Sequence, residues 1–323
     1  MMRLGQATSA SGAAAFQLKL ATRLAGVVPT IDVSRHTIVF THIGKTGGTT
    51  LDHIIKVAAA VRGKRACRPR PPRGRSMPPS QHNQELLHLD LMDDDQLSSC
   101  DYVSGHFPFG LHARLPRPCL YITLLRDPIA RLLSNIRFGL DRDKWPRDAS
   151  VTGLVEQGRL IDNMQTRQIA GIADRDAPCT SKTLATAIDN LRSHYCVVGV
   201  TERFDDALKA LITLLGWPDI AYSDRQVSHA PSDSDLESRV RAAAERYFAV
   251  DMELYAYASA LPTPWRPDIL KGTATGNARQ ESVLVTSPLI SFGNRPSALL
   301  SSAIFDTQIR PAVQQQGGEV VLV

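Results

Sequence analysis

The sequence predicts an α/β fold in which a mostly parallel central sheet is flanked by helices. Three observations lead there. Three segments share one order: a β-rich apolar run, a short polar turn, then an amphipathic helix. The runs are apolar nearly throughout rather than alternating, which suits strands covered on both faces. Finally, a chain of 323 residues that is 43% hydrophobic and 21% charged has material for one large domain or two modest ones, and is not collagen-like, coiled-coil or wholly disordered.

The first segment is the run 37–43, the turn 44–49 and a helix starting near Thr50 with Leu51, Ile54, Ile55 and Ala58 on one face. The second is the run 120–125 followed by Arg126, Asp127 and Pro128, where Asp127 suits an N-cap and Pro128 a first helical position. The third is the run 195–200, then Thr201, Glu202 and Arg203. Its helix carries Phe204, Leu208, Leu211, Ile212 and Leu215 and is stopped by Gly216, Trp217 and Pro218. Residues 154–170 and 184–191 are expected to be helical, the latter capped by Thr180 or Ser181, and residues 234–258 to form one long helix. Ligands of such sheets sit at the carboxyl ends of the strands, where the polar turns fall.

Residues 1–34 are Ala/Ser-rich, with no acidic residue before Asp32, and are expected to be a flexible tail. Residues 35–262 form the main domain, and 263–323 an extension in which periodicity weakens. Within the domain, residues 62–80 are a basic insertion expected to lack regular structure. Arg62, Lys64, Arg65, Arg68, Arg70, Arg73 and Arg75 are broken there by Pro69, Pro71, Pro72, Pro78 and Pro79. It reads as a solvated loop or as an attractor of a sulfated or carboxylated polymer.

The net charge of +5 suits an anionic ligand, while 6% aromatics leave no evident base-stacking surface, so no nucleic-acid partner is expected. Cys67, Cys100, Cys119, Cys179 and Cys196 are odd in number, widely spaced and without a CxxC pair. This predicts neither a disulfide framework nor a zinc site, and a reducing, cytoplasmic setting. No apolar stretch reaches 18 residues, so no integral membrane segment is expected.

The chemistry concentrates in the turns. Gly47 and Gly48 let the backbone bend with its N–H groups inward, and the helix N-terminus adds free donors and partial positive charge. Lys45 adds a full charge, and Thr49 and Thr50 add hydroxyls. Gly44, Lys45, Thr46, Gly47, Gly48, Thr49 and Thr50 together predict a cradle for a phosphate-like group. It is not a Walker A loop, because Val39 stands where that motif needs glycine. At the second turn Arg126 offers a planar fork to an oxyanion, and Ser134 lies on the helix face of Arg131 and Asp127. His106 follows a short apolar run and Gly105, which predicts an imidazole base at the sheet edge, with Asp52 and His53 as the alternatives. His42 reads as a satisfied core histidine inside a strand.

The run His42–Thr50 resembles the 5′-phosphosulfate loop of sulfotransferases that use 3′-phosphoadenosine 5′-phosphosulfate (PAPS), whose usual form is His-Ile-Pro-Lys-Thr-Gly-Gly-Thr-Ser/Thr. Gly44 replaces the proline. Arg126, Asp127, Pro128, Arg131 and Ser134 match the family's 3′-phosphate element, Arg-Asp-Pro-x-x-Arg-x-x-Ser, although Asn135 and Ile136 stand where aromatic residues usually follow. Asn163, Gln165, Thr166 and Arg167, and Gly199, Thr201, Glu202, Arg203 and Phe204, resemble two further segments of bacterial members. Thr201 and Glu202 are expected to organise a helix start, and Arg167 to make a structural ion pair or a ligand contact. The resemblance covers about residues 36–257 and extends to heparan sulfate 2-O-sulfotransferases. It implies the P-loop nucleotide-kinase-like fold and sulfuryl transfer from PAPS to a hydroxyl acceptor, a carbohydrate, without a metal. It also implies Lys45 and His106 as catalytic residues and Arg126 and Ser134 as the 3′-phosphate clamp. The alternatives are a P-loop kinase or NTPase, and a non-catalytic anion- or glycan-binding module on the same frame.

Overall fold

The structure, a computed structural model, describes residues 3–4, 18–24, 31–68, 94–141, 145, 150–174, 176–222, 234–264, 282–285, 291–292, 295–296 and 319–322. With elements numbered along the chain, the central sheet contains β3 (Thr37–Thr41), β4 (Ala66–Cys67), β5 (Tyr102–Gly105), β6 (Cys119–Leu125) and β7 (Tyr195–Val200). Their order is β4-β5-β3-β6-β7 and every pairing is parallel. Both faces are covered, as continuously apolar strands require. Ile38 and Phe40 of β3 pack with Leu51 and Ile54 of α1 (Gly48–Val61) and with Leu208 and Leu211 of α7 (Phe204–Leu214). On the other face Val39, Val103 and Val198 meet Ile169, Leu191 and Leu254. These come from α5 (Met164–Ala170), α6 (Ser181–Ser193) and α9 (Ala249–Ser259). The chain leaves β3 toward β4 and β5, then crosses back to β6 and β7. The strand order therefore reverses between β3 and β6, and the turns after those two strands flank the reversal, where open α/β sheets take their ligands.

Helix starts follow the chemistry expected of them. Asp127 Oδ1 accepts from Ala130 N at 2.8 Å, and Pro128 opens α3 (Pro128–Leu140). Thr180 and Thr183 form a capping box at α6. Two expectations fail. Residues 154–170 are not one helix but α4 (Val151–Glu156) and α5, separated where Gly158 and Asn163 take left-handed φ of 66° and 42°. The expected long helix 234–258 is α8 (Ser234–Tyr247) and α9, broken at Phe248 with φ −125°. Periodicity continues through this break because Phe248 stays buried with Leu132, Ile136, Leu154, Leu236 and Val240.

A second sheet has the order β1-β2-β8-β9-β12. It joins β1 (Arg3–Leu4), β2 (Leu18–Ala21), β8 (Asp219–Tyr222), β9 (Ser282–Val285) and β12 (Glu319–Leu322). Segments read as a tail and an extension thus contribute strands. The first is fastened further where Arg23 Nε donates to Trp217 O at 3.0 Å and Arg23 N to Asp219 Oδ1 at 3.1 Å. A hairpin of β10 (Ser291–Phe292) and β11 (Arg295–Pro296) also lies in the extension. In the basic insertion, Ala66–Cys67 forms edge strand β4, contrary to expectation, and residues 69–80 lie outside the described residues.

The cysteine expectation is overturned. Cys67 and Cys100, before β5 and just after α2 (Asp94–Ser98), form a disulfide with Cα atoms 5.9 Å apart. Parallel pairing sets Cys67 opposite Val103, which brings it alongside the approach to β5. A separation of 33 residues hides this from any spacing rule. Closing a loop of that size stabilises the fold by roughly 3–4 kcal/mol in the chain-entropy account. Among the described residues no helix is long and apolar enough to cross a membrane.

One buried carboxylate braces the layer behind the sheet. Asp251, in the first turn of α9, is wholly buried. It accepts from Thr166 N at 2.7 Å, Thr166 Oγ1 at 2.8 Å and Gln165 N at 3.2 Å. Asn163, which precedes α5, makes no side-chain cap and instead accepts from Asp251 N at 3.0 Å. Arg131 Nη2, on a buried side chain of α3, lies 3.9 Å from Asp251 Oδ2. Burial pushes the Asp251 carboxyl up, against the opposing pull of Arg131 and the Thr166 and Gln165 donors. Asp251→Ala removes all of these acceptors while leaving Arg131 buried. It should cost about 3–5 kcal/mol in the urea midpoint; a loss under 1 kcal/mol would show that the brace is not structural.

Candidate functional site

Because the central strands are parallel, each delivers its next residue to one edge. Arg68 follows β4, His106 follows β5, His42 follows β3, Arg126 follows β6 and Thr201 follows β7. The structure thus brings Lys45, His106 and Arg126 to the same carboxyl edge.

The first turn is built from the backbone outward. Gly47 has φ 79° and Lys45, a non-glycine residue, φ 69°. Arg126 and Phe138 both hold that left-handed lysine. Its carbonyl accepts from Arg126 Nη1 at 3.0 Å, and its ammonium lies 4.2 Å from the Phe138 ring centre. Gly48 is required by close approach, since a Cβ there would overlap the His42 ring. Gly44 has open space around a would-be Cβ. Helix α1 begins with no side-chain cap and no acidic residue in its first turn, so its N-terminus keeps its partial positive charge. Thr49 is exposed and Thr50 buried in that turn. The buried Thr46 hydroxyl donates to Ile43 O at 2.9 Å and braces the loop from within.

Three partners of this loop escaped the sequence reading. Gln165 clamps the Arg126 backbone from both sides, accepting from Arg126 N and donating to Arg126 O, each at 2.9 Å. Thr201 Oγ1 reaches Thr46 O at 2.7 Å and Leu125 O at 3.0 Å, tying the two turns together rather than only starting a helix. Phe138 lies four residues after Ser134 on α3, so half-buried Ser134 shares the face that meets Lys45. An aromatic residue one helical turn after the serine was the available signal. Burial lowers the Arg126 guanidinium, while Glu202 and Asp127 favour its charge. Glu202 accepts from Asp127 N at 3.2 Å. Arg167 is structural: it grips Asp162 at 2.9 and 3.0 Å and donates to Ala177 O.

The histidine side of the edge corrects one expectation. His42 lies beyond the end of β3, is 4% exposed, and its Nδ1 has no hydrogen-bond partner among the described residues. It stacks on Phe40 at 5.3 Å and lies 4.4 Å from the His106 ring. His106 Nδ1 is 2.6 Å from His42 O. A carbonyl only accepts, so this nitrogen carries the proton and Nε2 keeps its lone pair. Asp52 is engaged: Ser104 Oγ donates to Oδ1, and Lys56 Nζ lies 2.6 Å and Arg68 Nη1 3.6 Å from Oδ2. Both Asp52 oxygens are thus engaged, and His53 sits half-buried beside it on α1. Burial holds His42 well below the ordinary imidazole value, reinforced by the charges of His106, Arg68 and Lys56. Burial also lowers His106, with the bond to His42 opposing and Arg68 adding.

No protein-family model matches this chain, and no curated protein matches it.

Two predictions follow from this geometry. Gly48→Ala should cost about 1–3 kcal/mol by displacing the His42 ring, whereas Gly44→Ala should stay within about 0.5 kcal/mol, by denaturant unfolding. Equal effects would contradict the close approach. Second, both histidines titrate below their unfolded value of about 6.5. As pH falls through 6.5 the unfolded chain takes up protons first, so stability is complete above that pH and declines toward the folded values. His42→Gln should flatten the fall in melting temperature between pH 7 and 5; an unchanged slope would show that His42 does not carry it.

Proposed function

We propose that the protein transfers a sulfuryl group from PAPS to a hydroxyl, with a carbohydrate as the acceptor class implied by the family resemblance. One observation carries the reading: two donor-rich turns flank the strand-order reversal, joined by the Arg126–Lys45 hydrogen bond, with the His106 imidazole at the same edge. The lysine turn and the uncapped α1 suit a 5′-phosphosulfate. Arg126 spends one of its five donors on Lys45 O and can offer the others, with Ser134, to a 3′-phosphate.

In this reading His106 Nε2 takes the acceptor proton as the hydroxyl oxygen bonds to sulfur. The sulfur–oxygen bond to the nucleotide breaks, and Lys45 meets the charge gathering on the leaving phosphate. The Cys67–Cys100 bridge supports an oxidising setting for the work.

Calorimetry with adenosine 3′,5′-bisphosphate against ATP, together with turnover of labelled PAPS on a panel of hydroxylated acceptors, tests the reading. The bisphosphate should bind more tightly. Arg126→Ala should weaken it about 10- to 150-fold while leaving 5′-AMP nearly unchanged. Lys45→Ala should lose mainly kcat, and His106→Ala should lose about 10²–10⁴-fold in kcat with normal nucleotide affinity. Preference for ATP would favour the kinase alternative; bisphosphate binding without turnover on any acceptor would favour the binding module.

A further inference from the structure

Arg126 lies one residue past the end of β6, where strand pairing with β7 has stopped. Side chains take over there. Leu125 O accepts from Thr201 Oγ1 at 3.0 Å. Arg126 N donates to Gln165 Oε1, and Arg126 O accepts from Gln165 Nε2, each at 2.9 Å. Asp127 N donates to Glu202 Oε1 at 3.2 Å. Consecutive backbone groups from Leu125 to Asp127 thus end on side chains of α5 and of the segment after β7.

Among these, Gln165 is the residue that fixes Arg126 itself. Its side chain is wholly buried. Its amide orientation follows from its partners: the oxygen meets an N–H and the nitrogen meets a carbonyl, and a flipped amide would set like against like at both ends. Gln165 is mounted in turn on Asp251, whose Oδ2 accepts from Gln165 N at 3.2 Å. The Arg126 side chain is less enclosed. It is half-buried, with Nη1 on Lys45 O at 3.0 Å. A planar guanidinium makes its charge-assisted bonds to an oxyanion from a defined direction. That direction is set first at the residue whose N–H and C=O Gln165 holds, because any turn of this backbone carries the side chain with it.

Resting on the function proposed above, in which Arg126 meets the 3′-phosphate, we propose that Gln165 is a positioning residue for Arg126 and sets how strongly the protein prefers a nucleotide bearing that second phosphate over its monophosphate. Gln165 acts through the Arg126 backbone. Without it the guanidinium charge remains but its direction is no longer held, so the directional bonds weaken while general attraction for anions persists.

The test is calorimetric titration of the full chain with adenosine 3′,5′-bisphosphate and with 5′-AMP. Wild type, Gln165→Met, Arg126→Ala and the double variant are compared, and the melting temperature of each is recorded. The readout is the ratio of the two dissociation constants. A merely structural role would lower the melting temperature and move both constants alike, leaving the ratio where it was. Gln165→Met, of similar length but without either bond, should reduce the preference for the bisphosphate by about 5- to 50-fold, within the range of coupling between contacting residues. In the Arg126→Ala background the same change should alter the ratio by less than about twofold, because the group it positions is gone. If Gln165→Met does not fold, Gln165→Glu at pH 8 takes its place. It keeps an acceptor for Arg126 N and loses the donor to Arg126 O, so its ratio should fall between wild type and Arg126→Ala. An unchanged ratio in the folded Gln165 variant, or an equal drop with and without Arg126, overturns the proposal and leaves the proposed function standing. A wild type that binds both nucleotides equally overturns the 3′-phosphate clamp, and this proposal with it.

Discussion

A carboxylate with no access to water organises the carboxyl edge of the sheet. Asp251 reaches the start of α5 from another helix and satisfies backbone donors that the helix cannot satisfy alone. Those donors belong to Thr166 and to Gln165, whose side chain then fixes both backbone polar groups of Arg126. Arg126 in turn holds the carbonyl of a left-handed lysine. A left-handed lysine persists only where its surroundings over-determine it. The relay from Asp251 through Gln165 and Arg126 to Lys45 supplies that determination.

The strands and turns were legible because their signals are local. An apolar run, a glycine pair and an Asp-Pro start each act over a few residues, so β3, β6, β7 and the onset of α3 fall where the sequence puts them. What escaped was set by distant partners. The Cys67–Cys100 bridge depends on strand pairing across 33 residues. The Phe248 break leaves the apolar period intact, since the same ring is buried either way. The bracing role of the Thr46 hydroxyl is invisible until the Ile43 carbonyl is placed beneath it. His42 reads as core because it is buried, yet burial without a partner for Nδ1 is a different state from burial with one.

The parallel sheet explains why so few residues suffice for the site. Strands that all run one way present their ends together, and each end contributes one chemical character: a cation at β4, imidazoles at β5 and β3, a guanidinium at β6 and a hydroxyl brace at β7. An antiparallel sheet would send half of these to the opposite edge.

The position of Asp251 along the chain also sets a timetable for synthesis. Arg126 leaves the ribosome about 125 residues before the carboxylate that completes its support, an interval of roughly 6–25 s at 5–20 residues per second. During that interval β3, β6 and the glycine turn already exist as sequence, but α5 has nothing to anchor its first turn. The glycine turn is therefore encoded early and finished late. A chain truncated before α9 would carry every residue of the turn and still lack its brace.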